Sequence, residues 1–240
     1  MKEKSYSVDS IWDDSIQIQQ SRSGYRFALD AVLLAHFLQL NGDEIVLEIG
    51  CGNGIILVLL SRLKKYQRII GVEIQRELAD LASKNIENNK SAGIEVIEAD
   101  IRELKNELPK KGFDLIYSNP PYRKIGTGKL NPSSEKAIAR HELNLKLEDL
   151  IVIADELLKE DGRLSVILPA FREMDWMKLT EAGSYFIQAR QYVHSFPKSP
   201  AAFVLFTVSR KKTQLEELRA LTIYESRGKY TPEMAALLTK

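Results

Sequence analysis

The run Glu48-Ile49-Gly50-Cys51-Gly52-Asn53-Gly54 restricts what this chain can fold into more than any other stretch. It follows a short apolar segment, Glu44–Ile49, and leads into a segment of helical periodicity from about Asn53 to Lys65. Glycines at alternate positions let the backbone turn tightly from strand to helix and let a ligand come close to the main chain. The alternation then continues. Strands are predicted at Arg68–Glu73, Ile94–Ala99, Phe113–Ser118 and Leu164–Leu168, and helices at Gln75–Asn89, Leu145–Leu158 and Phe171–Ala182. Tyr185–Phe196 and Ala201–Val208 read as a hairpin pair of strands. The pattern predicts an α/β fold: a doubly wound, mostly parallel seven-stranded sheet with helices on both faces. Ligands of such sheets bind beyond the carboxyl ends of the strands, near the reversal of strand order, and the motifs below all fall at strand ends.

Three details narrow the ligand. The spacing is Gly-x-Gly-x-Gly, not the Gly-x-Gly-x-x-Gly of dinucleotide sites. No Gly-Lys-Ser/Thr for a triphosphate is present. An acid, Glu48, opens the motif, where a cationic ligand is welcome. Glu73 ends the second strand and offers two acceptor oxygens that suit a vicinal diol. Asp100 ends the third strand, beside Ile101, and can accept from an adenine amino group. The plain alternative for each carboxylate is a solvated turn residue. Together they point to S-adenosylmethionine, held by Glu48, Gly50, Cys51, Gly52, Gly54, Glu73, Asp100, Ile101 and Asn119. Cys51 has no evident histidine partner and is read as a small turn residue, not a nucleophile. At this point the chain resembles the class I S-adenosylmethionine-dependent methyltransferases over about residues 44–208.

The fourth strand ends directly in Asn119-Pro120-Pro121-Tyr122, 65 residues beyond Gly54. An exocyclic amino group or a side-chain amide has its lone pair delocalised into a π system and is a poor nucleophile. Two acceptors that take both N–H bonds draw the nitrogen toward tetrahedral geometry. Asn119 supplies a side-chain oxygen and Pro120 a main-chain carbonyl, and the two prolines fix the backbone so that both are preorganised. Tyr122 offers a ring on which a flat target stacks. Asn119, Pro120 and Tyr122 are therefore the catalytic candidates. A strand-ending turn is the plain alternative.

The tetrapeptide serves adenine N6, guanine N2 and protein glutamine alike. Only 47 residues precede Glu48, little room for the separate helical domain of the glutamine enzymes. The following loop is basic: Arg123, Lys124, Lys129, Lys136 and Arg140 face one acid, Glu135, before Glu142. Such a loop suits phosphate contacts, and Tyr122, Arg123, Lys124 and Arg140 are the substrate-binding candidates. With Ser23-Gly24-Tyr25-Arg26-Phe27-Ala28-Leu29-Asp30 and Gly228-Lys229-Tyr230-Thr231-Pro232-Glu233, the chain is similar to the bacterial family that methylates adenine 37 N6 of a valine tRNA. The resemblance implies an RNA partner, tRNA, and puts Arg26, Phe27 and Asp30 near the pocket. Those sequences run on into an aromatic C-terminus, where this chain ends at Leu238-Thr239-Lys240. The alternatives are an rRNA guanine-N2 or protein-glutamine enzyme, or a silent RNA-binding relative.

Residues 1–43 are read as an extension whose helix covers the cofactor, 44–209 as the catalytic domain, and 210–240 as a charged tail. Arg210, Lys211, Lys212, Arg219, Arg227 and Lys229 in that tail are candidates to hold an RNA stem. The net charge of +1 provides no global field for a polyanion, so local patches must do that work. One cysteine excludes an intramolecular disulfide and suits the cytoplasm. No stretch approaches the roughly 18 apolar residues of a membrane span. The histidines, His36, His141 and His194, lack metal-ligand spacing, so no metal is expected.

Overall fold

The computed structural model describes residues 6–12, 15–21, 29–120 and 145–239. Seven long strands form the central sheet: β3 (Ile45–Ile49), β4 (Arg68–Glu73), β5 (Ile94–Glu98), β6 (Phe113–Ser118), β7 (Leu158–Pro169), β8 (Phe186–His194) and β9 (Ala201–Ser209). Their order is β8-β9-β7-β6-β3-β4-β5. All neighbours are parallel except the two pairs made by β9. Two short segments, β10 (Glu216–Glu217) and β11 (Leu221–Thr222), add to the β8 edge. The expected doubly wound sheet is present, with these two short strands beyond the seven.

Helices α1 (Leu29–Phe37), α2 (Ile55–Leu63) and α3 (Arg76–Asn88) cover one face. The short α4 (Ile101–Leu104), with α5 (Leu147–Leu157) and α6 (Glu173–Ala182), covers the other. The strands are buried on both sides: Val46 and Leu115 belong to one core, Leu47 and Ile116 to the other. This period-2 division explains the nearly continuous apolar runs of β3 and β6. Strand β7 begins six residues before the expected Leu164. Its polar start, Lys159-Glu160-Asp161-Gly162, hides the extension, and the ladder to β6 is irregular there.

The amino-terminal hairpin, β1 (Tyr6–Ile11) and β2 (Ile16–Ser21), is fastened by helix side chains. Asn85 on α3 and Asn89, its C-cap one turn later, each exchange two hydrogen bonds with β2. Gln17 N donates to Asn89 Oδ1 (3.1 Å) and Asn89 Nδ2 to Gln17 O (2.8 Å). Gln19 N donates to Asn85 Oδ1 (2.8 Å) and Asn85 Nδ2 to Gln19 O (3.0 Å). The amides thus take the place of a neighbouring strand on this edge. Asn85 Nδ2 also donates to Asn53 O at 2.9 Å, tying the hairpin to the glycine turn. At the other end of the chain, α7 (Pro232–Leu238) packs on α1. Trp12 Nε1 donates to Leu237 O (3.0 Å), and His36 Nε2 lies 3.2 Å from the same oxygen. Burial lowers the pKa of His36, in keeping with a structural imidazole. No helix among the described residues is long and apolar enough to cross a membrane.

Candidate active site at the reversal of strand order

Successive crossovers carry the chain from β3 out to β4 and β5. It then returns to β6 on the other flank of β3. The carboxyl ends of β3 and β6 therefore open a crevice, the usual ligand position in this architecture. Ser118 Oγ donates to Ile49 O at 2.8 Å and locks these two ends together. The glycine turn leaves β3 at one side of this bond, and Asn119-Pro120 leaves β6 at the other.

Left-handed backbone runs through the turn, with φ of +75° at Gly50, +57° at Gly52 and +79° at Gly54. A side chain at Gly54 would stand 3.0 Å from the Cα of Ala82 on α3. At Gly50, by contrast, a side chain would meet nothing within 4 Å, so space is open above that backbone. Gly50 N and Cys51 N both donate to Val72 O, at 2.8 and 3.1 Å. Cys51 is buried, and burial pushes its thiol well above the ordinary range, which agrees with a turn residue and not a nucleophile.

Glu73 closes the turn from the end of β4. Its Oε2 accepts from Gly52 N and its Oε1 from Gln75 N, both at 2.9 Å. Each oxygen keeps a further lone pair, as a vicinal diol requires. Glu48 is only 1% exposed and accepts a 2.9 Å hydrogen bond from Tyr117 Oη. Burial, opposed by that hydrogen bond and reinforced by the Glu73 charge, raises its pKa to about 8. A cation beside it would favour the carboxylate. Asn53 is also 1% exposed, and neither Asn53 Nδ2 nor Oδ1 has a hydrogen-bond partner. S-adenosylmethionine combines a ribose diol with cationic sulfonium and ammonium groups. The open backbone at Gly50, the spare acceptors of Glu73, the unpartnered amide of Asn53 and the proton-holding Glu48 fit that molecule.

Asp100 departs from the simple expectation. It caps α4, with Oδ1 accepting from Arg102 N at 3.0 Å, and the Arg102 guanidinium grips both oxygens. Arg102 holds the carboxyl below its ordinary range. An adenine amino group would share this carboxylate with the arginine. Ile101 is buried in the core of that face. Asp30 is buried in the first turn of α1. Asn119 is half-buried and Pro120 buried. Pro121, Tyr122, Arg123, Lys124, Arg140 and His141, with Arg26 and Phe27, lie outside the described residues. Among the described residues no group of three His, Cys, Asp or Glu side chains is arranged to hold a metal.

Two contributors escaped the sequence reading. Tyr117 is the register partner of Glu48 across β3 and β6. Its hint was one aromatic hydroxyl in an otherwise aliphatic stretch, Leu115-Ile116-Tyr117. Gly71, partner of Glu48 on the β4 side, admits the turn: a side chain there would stand 2.7 Å from Leu57 Cδ1 and 3.1 Å from Cys51 Sγ.

Comparison with known proteins agrees with this geometry. A methyltransferase-domain family model matches residues 40–204. A protein of Tolumonas auensis named tRNA1(Val) (adenine(37)-N6)-methyltransferase is 32% identical, over 92% of this chain and 91% of its own. Its namesake in Trichodesmium erythraeum is 29% identical over 92% of each. A solved structure, described as a predicted O-methyltransferase from Agrobacterium tumefaciens, shares the fold. Its TM-score is 0.67 at 23% identity, over 87% of this chain and 94% of that one. The crevice at β3 and β6 thus sits in a class I methyltransferase fold, and this chain belongs to the S-adenosylmethionine-dependent methyltransferases, in the family of the bacterial tRNA1(Val) adenine-37 N6 enzymes.

Proposed function

We propose that this protein methylates N6 of adenine 37 in a valine tRNA. The observation that carries the reading is the junction of the two motifs. The Ser118–Ile49 hydrogen bond brings the end of β6, with Asn119 and Pro120, to the glycine turn. The identities of 28–32% to proteins named for that reaction, nearly end to end, support the choice of target.

S-adenosylmethionine supplies an electrophilic methyl group on sulfur. In this reading the main chain of Gly50, Cys51, Gly52 and Gly54 lies along it, Glu73 accepts from the ribose hydroxyls, and Glu48 answers its positive charge. Asp100 and Ile101 flank the adenine. The Asn119 side-chain oxygen and the Pro120 carbonyl accept the two N–H bonds of the target amine and free its lone pair. Positioning is the main catalytic contribution, and no covalent enzyme intermediate is needed. Tyr122 stacks on the extruded base, and Arg123, Lys124 and Arg140 hold phosphates.

The test uses tritiated cofactor and total tRNA from a strain lacking the gene, followed by nucleoside analysis. Label in N6-methyladenosine mapped to position 37 is the expected result. Label in another nucleoside, or none in tRNA while cofactor binding is intact, would redirect the target to rRNA guanine or protein glutamine.

A further inference from the structure

Strand β8 runs parallel to β6, three strands away, and the register fixes their relative height. Ser118 pairs with Val166, Val166 with Phe206, and Phe206 with Arg190. The β8–β9 hairpin therefore continues past the level of Asn119. Its tip stands on the same sheet edge, roughly 15 Å to the side at about 5 Å per strand.

At that tip three aromatic rings form a ladder. Phe196 and Tyr224 have centroids 5.5 Å apart, and Tyr224 and Tyr230 are stacked at 5.1 Å and 17°. Phe196 is 40% and Tyr230 37% exposed. Three cations accompany the rings: Lys198 on the hairpin turn, and Arg227 and Lys229 on the small hairpin β12 (Tyr224–Ser226) and β13 (Lys229–Tyr230). Glu225 pairs with Lys229 at 2.5 Å, while Lys198 and Arg227 make no ion pair among the described residues.

The parts are held firmly. Tyr224 N donates to Ser195 O (3.0 Å). Thr231 Oγ1 donates to Thr222 O (2.6 Å) and accepts from Met234 N, so the Tyr230-Thr231-Pro232-Glu233 motif anchors the ladder and caps the last helix. The turn Phe196-Pro197-Lys198-Ser199 puts Lys198 at φ +64°, where glycine is the easy choice. Ser199 accepts from Phe196 N, and Ser199 O lies 2.7 Å from His194 Nδ1, which holds the turn in this strained form.

We propose that this ladder with its cations is a stacking platform for the unpaired RNA nucleotides that flank the methylated base. The inference rests on the RNA reading given above. Flat exposed rings accept any base, and cations beside them accept the linking phosphates. Phe196 lies about five residues further along the strand direction than Asn119, at about 3.3 Å each, which with the lateral offset makes a span of about 20 Å, to be bridged by a short run of unpaired nucleotides.

The experiment compares wild type with Phe196→Ala/Tyr230→Ala and, separately, Lys198→Glu/Arg227→Glu. Readouts are the affinity for fluorescein-labelled anticodon stem-loop RNA, steady-state methylation of tRNA, and cofactor affinity by calorimetry. The aromatic pair is expected to raise the RNA Kd and KM about 10- to 100-fold. The kcat at saturating RNA and the cofactor affinity should stay within about twofold, and Tyr230→Phe should retain RNA affinity. The exposed charge variants disturb no packing and should weaken RNA binding and flatten its salt dependence. A wild type that methylates tRNA while both variants keep RNA affinity within twofold overturns the platform and leaves the proposed reaction standing. A wild type that binds cofactor but neither binds nor methylates RNA overturns both. Loss of affinity for a protein substrate instead would make this a protein-docking face and also overturns the inference.

Discussion

The two edges of the sheet both carry cations, and they use them differently. At the amino edge, where β6 and β7 begin and β9 ends, most of the cations are matched by acids. Lys159 pairs with Asp114 (2.7 Å), Arg210 with Asp155 (2.5 Å), and Lys105 and Lys110 with Glu156. Arg210 also lies over the ring of Tyr185; Lys212, over Phe186, is an exception on this edge, with no ion pair among the described residues. At the carboxyl edge, Lys198 and Arg227 are exposed, two and three residues along the chain from the ladder rings Phe196 and Tyr224, and make no ion pair among the described residues. Half of the tail cations read from the sequence as one RNA-binding set, Arg210, Lys211 and Lys212, thus lie on the wrong side of the sheet for Asn119. Charge count alone does not make a polyanion surface. Cations neutralised by fixed carboxylates have little field left, whereas unmatched ones keep theirs.

The contrast can be broken most severely at its centre. Asn119→Ala should lower the single-turnover methylation rate by about 10²–10³-fold, the usual loss for one preorganised polar partner of a reacting group. Calorimetry should find cofactor affinity within about twofold, and a matching loss there would move Asn119 from the reacting group to cofactor binding.

The second test concerns the buried pair Glu48–Tyr117. The ionised form of Glu48 attracts a cation, and its pKa lies at about 8 in the free protein. Cofactor affinity should therefore rise with pH, by about tenfold between pH 7 and pH 9, and level off above. The free protein should respond in the opposite sense. A carboxyl whose pKa is raised on folding contributes most stability below 4.5, its ordinary value, and loses it as pH climbs through about 8. Glu48→Gln should weaken cofactor binding, remove its pH dependence, and raise the melting temperature of the free protein at pH 8 by on the order of 5 °C. A pH-independent wild-type affinity would exclude this role for Glu48.

A smaller effect is expected in the turn. Gly54→Ala adds a methyl at φ +79° against the backbone of α3. It should cost about 1–3 kcal/mol in denaturant unfolding. The smallest effect belongs to the amino edge. Lys159→Ala and Arg210→Ala should each change stability by about 1 kcal/mol or less and leave the tRNA KM unchanged. A rise in KM would return this edge to the RNA-binding surface.

The central strands were legible because β3, β4 and β6 are buried on both faces and read as short apolar runs, while α3 and α5 bury one stripe at helical spacing. The glycine turn was legible because only glycine tolerates three left-handed positions at alternate residues. Asp100 was legible as a strand-end carboxylate, but not as a cap gripped by Arg102, since nothing in Asp100-Ile101-Arg102 sets the arginine rotamer. Strand β7 was half missed because its charged start carries no alternation.

By itself, then, the sequence determined which residues are proposed to carry the chemistry: local motifs whose backbone needs are met within a few positions, Gly50 to Gly54 and Asn119 to Pro120. Only the tertiary structure decided what each faces. Tyr117 reaches Glu48 through the register of two parallel strands, 69 residues apart in the chain. Phe196, Tyr224 and Tyr230 meet because β11 joins the far side of β8. Such pairings depend on contacts between distant segments, whose partners leave no local periodicity to read.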